Sequence, residues 1–453
     1  MADPNETNQA KYTVQRFPAA GQDNPDYARS AAWIHAVSHG FHQHRRNDDF
    51  VAKTLASYAI DQRELTGVYV AGDVPRHSMG ADVPVATYGT MRKPLNIGFG
   101  RELEANLVTA VTVRGTHRRR GILRGMITAD LEGAKDDGLA IAALTASEGT
   151  IYGRFGFGVA TFERSIKVDT GPRFSVRGMM TGTVEVADPA VLLDIAPRIF
   201  ERVQRATPGS IGRQEYYRLL ASGSIGHDGQ PDLAVRSALH YDAKGTPDGY
   251  VSYRFKGWDA KPFTMEIVDL VAGNDAAYLD LWRFLGSIDL IDLVTWNEAP
   301  VDDPLAWALT DPRCIDSSDV RDMLWLRILD VPAALVARQY PVTSTLVLQV
   351  SDTLGLAGGT WEIASDAGTA TVREVTGADP DLSLDISDLA SIYLGADPDL
   401  SLDISDLASI YLGAVSPVTL AAAGRIHEHK PGAAFAARQL FAVERPAHCL
   451  THF

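Results

Sequence analysis

The feature that most constrains this chain is the run Val111-Thr112-Val113-Arg114-Gly115-Thr116-His117-Arg118-Arg119-Arg120-Gly121-Ile122-Leu123-Arg124. An apolar, β-like stretch from Ala105 to Val113 feeds a turn at Arg114-Gly115-Thr116. Beyond it, Ile122, Leu123, Met126, Ile127 and Leu131 recur at helical spacing. His117 and three arginines therefore stand where a helix begins. A helix N-terminus carries about half a positive charge and several unpaired N–H groups, so cations there are repelled. The arrangement becomes favourable when an anion binds between them. Gly121 has no side chain to keep a ligand from the backbone. Strand, basic glycine-containing turn and helix describe a pyrophosphate cradle. A solvated basic turn is the plainer alternative.

The chain has 453 residues and a formal net charge of -15. That length predicts about three domains. The negative balance argues against a nucleic-acid partner, so the basic cluster is local and suits a small anionic ligand. An acidic surface would attract cationic substrates. The two cysteines, Cys314 and Cys449, have no metal-ligand spacing and read as reduced thiols of a cytoplasmic protein. No signal peptide is visible at the start. No apolar run reaches the length of a membrane span, so no membrane partner is expected.

A disordered leader is expected to about Lys11. A helix is predicted over 27–41, strands over 68–70, 83–88 and 106–113, a helix over 120–136, a strand over 140–146, a short helix at Tyr152 and a strand near 159–167. His35, His39, His42 and His44 crowd together, but no carboxylate pattern joins them and no metal is predicted. A second unit repeats the order in outline: helices near 190–204 and 213–220, strands near 233–239, 249–255 and 263–270, a helix over 275–286, then a strand at 290–295. It lacks a basic glycine turn. A third unit opens with strand-like Met323–Leu329 and continues with a helix over 331–339, strands over 345–350 and 369–375, and helical patterns at 387–394 and 417–426. Gly377–Leu394 and Gly395–Leu412 are identical in sequence. Two copies do not make a solenoid. One copy is expected to fill a native place and the other to be extruded or to add a marginal edge element.

Arg118-Arg119-Arg120-Gly121-Ile122-Leu123 resembles the pyrophosphate motif of GCN5-related N-acetyltransferases, with Leu123 at a position usually small. Taken with Ala146-Ser147-Glu148-Gly149 and Ile151-Tyr152-Gly153-Arg154-Phe155-Gly156, it is similar to the Eis-type (enhanced intracellular survival) branch, where leucine there is normal. The resemblance continues through Leu324-Trp325-Leu326-Arg327 and Val331-Pro332-Ala333-Ala334-Leu335 to a final phenylalanine. It implies a mixed α/β (α+β) fold: an acetyltransferase domain at 1–168, a degenerate acetyltransferase-like domain at 169–322 that cannot hold coenzyme A, and a sterol-carrier-protein-like domain at 323–453. It also implies acetyl-CoA as cosubstrate, no metal, and a homohexamer.

Acetyl transfer from a thioester to an amine needs a neutral amine, a stabilised carbonyl oxygen and a proton for the departing thiolate. A lysine-like amine has a pKa of about 10.4, so a base is required. The resemblance gives Tyr152 as general acid and the carboxylate of Phe453 as general base. A buried core tyrosine and a frayed terminus are the plainer alternatives, and His452 is the second candidate base. Val111, Thr112 and Val113 are expected to meet the pantetheine arm. Arg118, Arg119, Arg120, Gly121, Ile122, Leu123 and Arg124 are expected at the pyrophosphate, Ser147 and Glu148 beside the thioester, and Phe41 and His452 at the acceptor. The acceptors implied are polycationic amines such as aminoglycosides, or lysine side chains. A carrier that binds coenzyme A or lipid without turnover is the alternative function.

Overall fold

The computed structural model describes residues 11–226, 229–259, 261–366, 368–375 and 398–453. Strand β1 (Tyr12–Pro18) is followed by helices α1 (Tyr27–Gly40) and α2 (Asp48–Ile60), then by β2 (Glu64–Val70), β3 (Ala86–Gly98) and β4 (Arg101–Val113). α2 starts from Asn47, whose side chain accepts the Phe50 N–H, with Asp48 and Asp49 in its first turn; both features favour a helix start. Next come α3 (Ile122–Asp136), β5 (Ile141–Thr145), the one-turn α4 (Gly149–Tyr152) and β6 (Gly158–Val159). The expected strands at 83–88 and 106–113 overlap β3 and β4, the two arms of a longer hairpin, with 83–85 lying before β3. α3 packs Met126, Ile127, Leu131 and Ala134 onto the sheet. It is pinned by Asp130, which accepts Tyr88 Oη at 2.9 Å and Asn106 Nδ2 at 2.8 Å beneath the surface.

The next elements are β7 (Phe162–Asp169), β8 (Thr183–Ala187), α5 (Leu192–Ala206), α6 (Glu215–Ala221), β9 (Val235–Tyr241), β10 (Pro247–Phe255), β11 (Thr264–Ala272), α7 (Asp275–Gly286), β12 (Leu293–Pro300), α8 (Leu305–Ala308), β13 (Ile315–Asp322) and β14 (Leu324–Ile328). Pro197 lies inside α5 and has no N–H for the Leu193 carbonyl. Arg218 of α6 donates to that carbonyl instead, at 3.3 Å, which ties the two helices together.

Two strands cross the divisions drawn from the sequence. The first sheet runs β1-β2-β3-β4-β5-β14-β6, and the second β13-β7-β12-β11-β10-β9-β8. β14, read as the opening of the third unit, therefore belongs to the first sheet. β7, read as the close of the first unit, lies inside the second. Alternation along a strand fixes its two faces but not its neighbours, so this exchange was not readable.

The third unit holds α9 (Val331–Ala337), β15 (Ser344–Ser351), β16 (Gly359–Asp366), β17 (Thr369–Glu374), β18 (Leu400–Asp403), α10 (Ile404–Ile410), α11 (Pro417–Ala422), β19 (Ile426–Glu428) and α12 (Ala433–Leu440), with strand order β17-β16-β15-β18-β19. The second duplicate, from Pro398 onward, supplies β18 and α10 and buries Leu400, Leu402, Leu407 and Ile410. The first duplicate, and with it the expected extrusion, lies outside the described residues.

Candidate active site

Helix α3 begins without a side-chain cap. Gly121 takes the N-cap position with φ 75°, and no acidic residue stands in the first turn. That left-handed backbone is cheap only for glycine. Arg119 also has positive φ, 61°. The chain therefore curls around the helix start and leaves its N–H groups unanswered by any cap. Arg118, Arg119, Arg120, Gly121 and Arg124 are exposed around it. Arg118 Nε lies 3.4 Å from the Val113 carbonyl, while Arg120 donates to Tyr12 Oη and to the Thr116 carbonyl. Ile122 and Leu123 are half-buried and pack against the core, and their backbone N–H groups stand at the helix start. An uncapped, cation-ringed helix start fits a diphosphate.

β4 and β5 run parallel, but their pairing stops at Val108 and Leu144. Past that point β4 bulges: Ala110 has φ 52°, and its carbonyl accepts Thr87 Oγ1 at 2.8 Å. The bulge turns β4 away from β5. Thr112 is buried, with its hydroxyl bonded to Thr87 at 2.7 Å, so it too can offer only backbone. Beside this splay is a 610 Å³ cavity whose lining includes Val111, Ser147, Tyr152, Phe41, His452 and Phe453. Residues 117–124, Val113 and Glu148 do not line it. Glu148 is exposed at the N-cap of α4.

Tyr152 is buried, edge-on to Phe157 with ring centroids 6.1 Å apart. Burial and the nearby Glu148 carboxylate raise its pKa, so the phenol keeps its proton at neutral pH. The last residues are held along their length. His448 donates its backbone N–H to Pro208, Thr451 its hydroxyl to the Ile211 carbonyl at 3.1 Å, and His452 its backbone N–H to Tyr217 Oη at 2.6 Å. Thr145, at the end of β5, donates its hydroxyl to a Phe453 main-chain oxygen at 2.7 Å. Cys449 is fully buried among these contacts, and burial pushes its thiol up to about 12.

His452 Nε2 sits 3.2 Å from Glu163 Oε2 and 3.9 Å from Glu298. Burial alone would lower its pKa, but the hydrogen bond and charge of Glu163, joined by Glu298, raise it. Glu163 in turn is lowered by His452 and Arg321 in spite of its burial, and burial drives Glu298 up to about 7. The imidazole is thereby held toward its charged form, which suits a base at neutral pH poorly.

Sequence reasoning missed half of the cavity wall. α2 contributes Phe50, Thr54, Ser57 and Tyr58, Arg63 stands just before β2, and α6 contributes Tyr216 and Tyr217. Their aromatic clustering gave no local signal. No Asp or Glu side chain occurs among the described lining residues, whereas Arg46, Arg63 and His452 do. The attraction for cations expected from net charge is not repeated in these walls. Among the described residues no group of three or more His, Cys, Asp or Glu is arranged to hold a metal ion. No described helix is long and apolar enough to cross a membrane.

Family models for an acetyltransferase (GNAT) domain match residues 28–160 and, separately, 209–328. A sterol carrier protein domain model matches 331–398 and 395–450, breaking within the duplicated stretch. An uncharacterized N-acetyltransferase of Streptomyces avermitilis is 34% identical over 93% of this chain and 96% of its own length. The N-acetyltransferase Eis of Mycobacterium tuberculosis is 36% identical over 63% of this chain and 69% of its own. The crystal structure of Eis1 from Mycobacterium abscessus superposes with a TM-score of 0.76 and 26% identity, covering 97% of this chain and all of that one.

Proposed function

The chain belongs to the Eis-like branch of the GNAT N-acetyltransferases, and on that premise we propose that Tyr152 is its general acid and the Phe453 carboxylate its general base. Acetyl-CoA, the cosubstrate of GNAT domains, supplies an activated thioester. The open start of α3, with Arg118, Arg119 and Arg124, would hold the diphosphate. The backbone of Val111, Thr112 and Val113 would meet the pantetheine amides where β4 leaves β5. Arg120, already bonded to Tyr12 and Thr116, adds field rather than a free fork.

One observation carries the reading: the chain's last residue is hydrogen-bonded to Thr145 at the wall of the cavity that Tyr152 also lines. A carboxylate there takes a proton from the amine as its nitrogen attacks the thioester carbonyl. A protonated phenol then gives one to the sulfur as the carbon–sulfur bond breaks. The raised pKa of Tyr152 keeps that proton available. The acceptor is a primary amine of a small molecule or a lysine side chain. A wall without acidic side chains favours one amine at a time over polycations such as aminoglycosides. A thiol-release assay over amine acceptors tests the assignment, with the native chain set against one lengthened beyond Phe453. Release by the native chain and its loss on lengthening are expected; equal rates overturn the carboxylate's role.

A further inference from the structure

Arg63 is 6% exposed, lines the cavity, and makes no side-chain hydrogen bond to another described residue. Its Nε is buried without a partner. The guanidinium stacks on Tyr58 at 3.9 Å, which leaves its N–H groups unanswered. The carboxylate beside it belongs to Asp61, 3.7 Å away and beyond hydrogen-bond range. Asp61 already accepts Lys93 Nζ at 2.8 Å and the Glu215 N–H at 3.1 Å. Two cations thus share one anion, and the excess positive charge lies at the cavity wall. A buried charge without hydrogen bonds is costly and calls for a partner. A guanidinium is built to take a pair of anionic oxygens.

We propose that the acceptor amine carries an acidic group, a carboxylate or phosphate, that docks on Arg63 while its amine faces Phe453. The proposal rests on the reading of this cavity as the acceptor site. Phe41, Phe50, Tyr58 and Tyr216 give the space between an aromatic lining, so the body joining amine and acid is apolar or aryl. Arg46 and His452 add positive charge to the same wall, which disfavours a second, cationic amine on the acceptor there. Arg63 is in this sense a specificity determinant, not a group that touches the reacting atoms.

A matched series tests this on the full chain saturated with coenzyme A: phenethylamine, 4-(2-aminoethyl)benzoate, O-phosphotyramine, and kanamycin as a polycation. Calorimetry reads binding without turnover, and thiol release from acetyl-CoA reads kcat/KM. At least one acidic member is expected to bind about tenfold or more tighter than phenethylamine, the scale of a charge-assisted hydrogen bond. The carboxylate and phosphate arms identify which acid fits. R63Q should erase that preference, bringing acidic and neutral members to similar affinities, and R63K should restore part of it. Equal binding of acidic and neutral members, tighter binding of kanamycin, or a preference that survives in R63Q overturns the proposal. Should R63Q fail to fold, the native series alone decides. Absence of thiol release with every amine would count against the catalytic assignment, whereas the calorimetric order would still judge the acid subsite.

Discussion

Helices α3 and α7 occupy matching places, each joining two parallel strands of its own sheet, and they start in opposite ways. α7 is capped by Asn274, whose side chain accepts the Ala277 N–H, and it carries Asp275 in its first turn. Asp275 is paired with Arg445. α3 has a left-handed glycine, no cap and no acid. One helix start satisfies itself; the other waits for an anion. The clefts differ in the same sense. Beside β11 and α7 is a 350 Å³ cavity whose lining includes Arg445, Pro446, Ala447, His448 and Leu450. The equivalent space in the second sheet is thus bordered by the chain's own tail. That tail continues to Phe453 in the first unit's cavity. The second unit has become a guide for the residues that complete the first.

The largest blow to this comparison should come at the tail's tip. Lengthening the chain beyond Phe453 is expected to lower kcat by about a thousandfold, the range of a lost general base, with acetyl-CoA affinity intact by calorimetry. Retained turnover would reduce the second unit to scaffold. Tyr152→Phe should lower kcat by about a hundredfold with little change in KM, seen in steady-state thiol release. Smaller again, Arg119→Gln and Arg124→Gln should each raise the KM for acetyl-CoA by about tenfold, an effect that shrinks in high salt. The matching change in the other unit, Asp275→Asn, should leave that KM unmoved. If it weakens acetyl-CoA binding as much, the two helix starts are not functionally distinct.

The open helix start was legible because its elements are contiguous: a strand, a basic turn and an amphipathic helix within 14 residues of one another in sequence. Tyr152 was legible for the same reason, one turn beyond β5. The acceptor wall was not. Phe50, Tyr58, Arg63 and Tyr217 come from a helix the periodicity did not reveal, a strand edge and a helix of the second unit. Their meeting is a tertiary event with no local pattern. Sheet membership failed similarly at β7 and β14, since both strands read as strands and neither names its neighbours. The missed α2 has a weakly segregated sequence, DDFVAKTLASYAI, whose start signals were Asn47 at the cap and Asp48 and Asp49 in the first turn. His452 lines the cavity, but its charge state was not legible, because Glu163 is more than 280 residues away in sequence.

The second unit fastens the tail by two ion pairs that differ in burial. Arg445 to Asp275 is an exposed pair, worth little. His452 to Glu163 joins an imidazole of raised pKa to a fully buried carboxylate of lowered pKa. The imidazole's contribution is complete below its unfolded pKa of about 6.5 and is lost as pH rises through the folded value. The carboxylate's contribution is present above its unfolded pKa and is lost as pH falls through the folded one. Docking by this pair is therefore strongest in the window between, on the acidic side of neutrality. Glu163→Gln should bring the His452 titration down, as followed by NMR of the ring, and lower kcat by about fivefold, the scale of one modest hydrogen bond. The deficit should shrink as pH rises through the raised pKa of the folded imidazole, where the native ring also loses its charge. Asp275→Asn should show no such dependence. A deficit for Glu163→Gln that stays constant across this range would mean that the carboxylate acts through packing alone, and that the second unit steers the tail by shape rather than by charge.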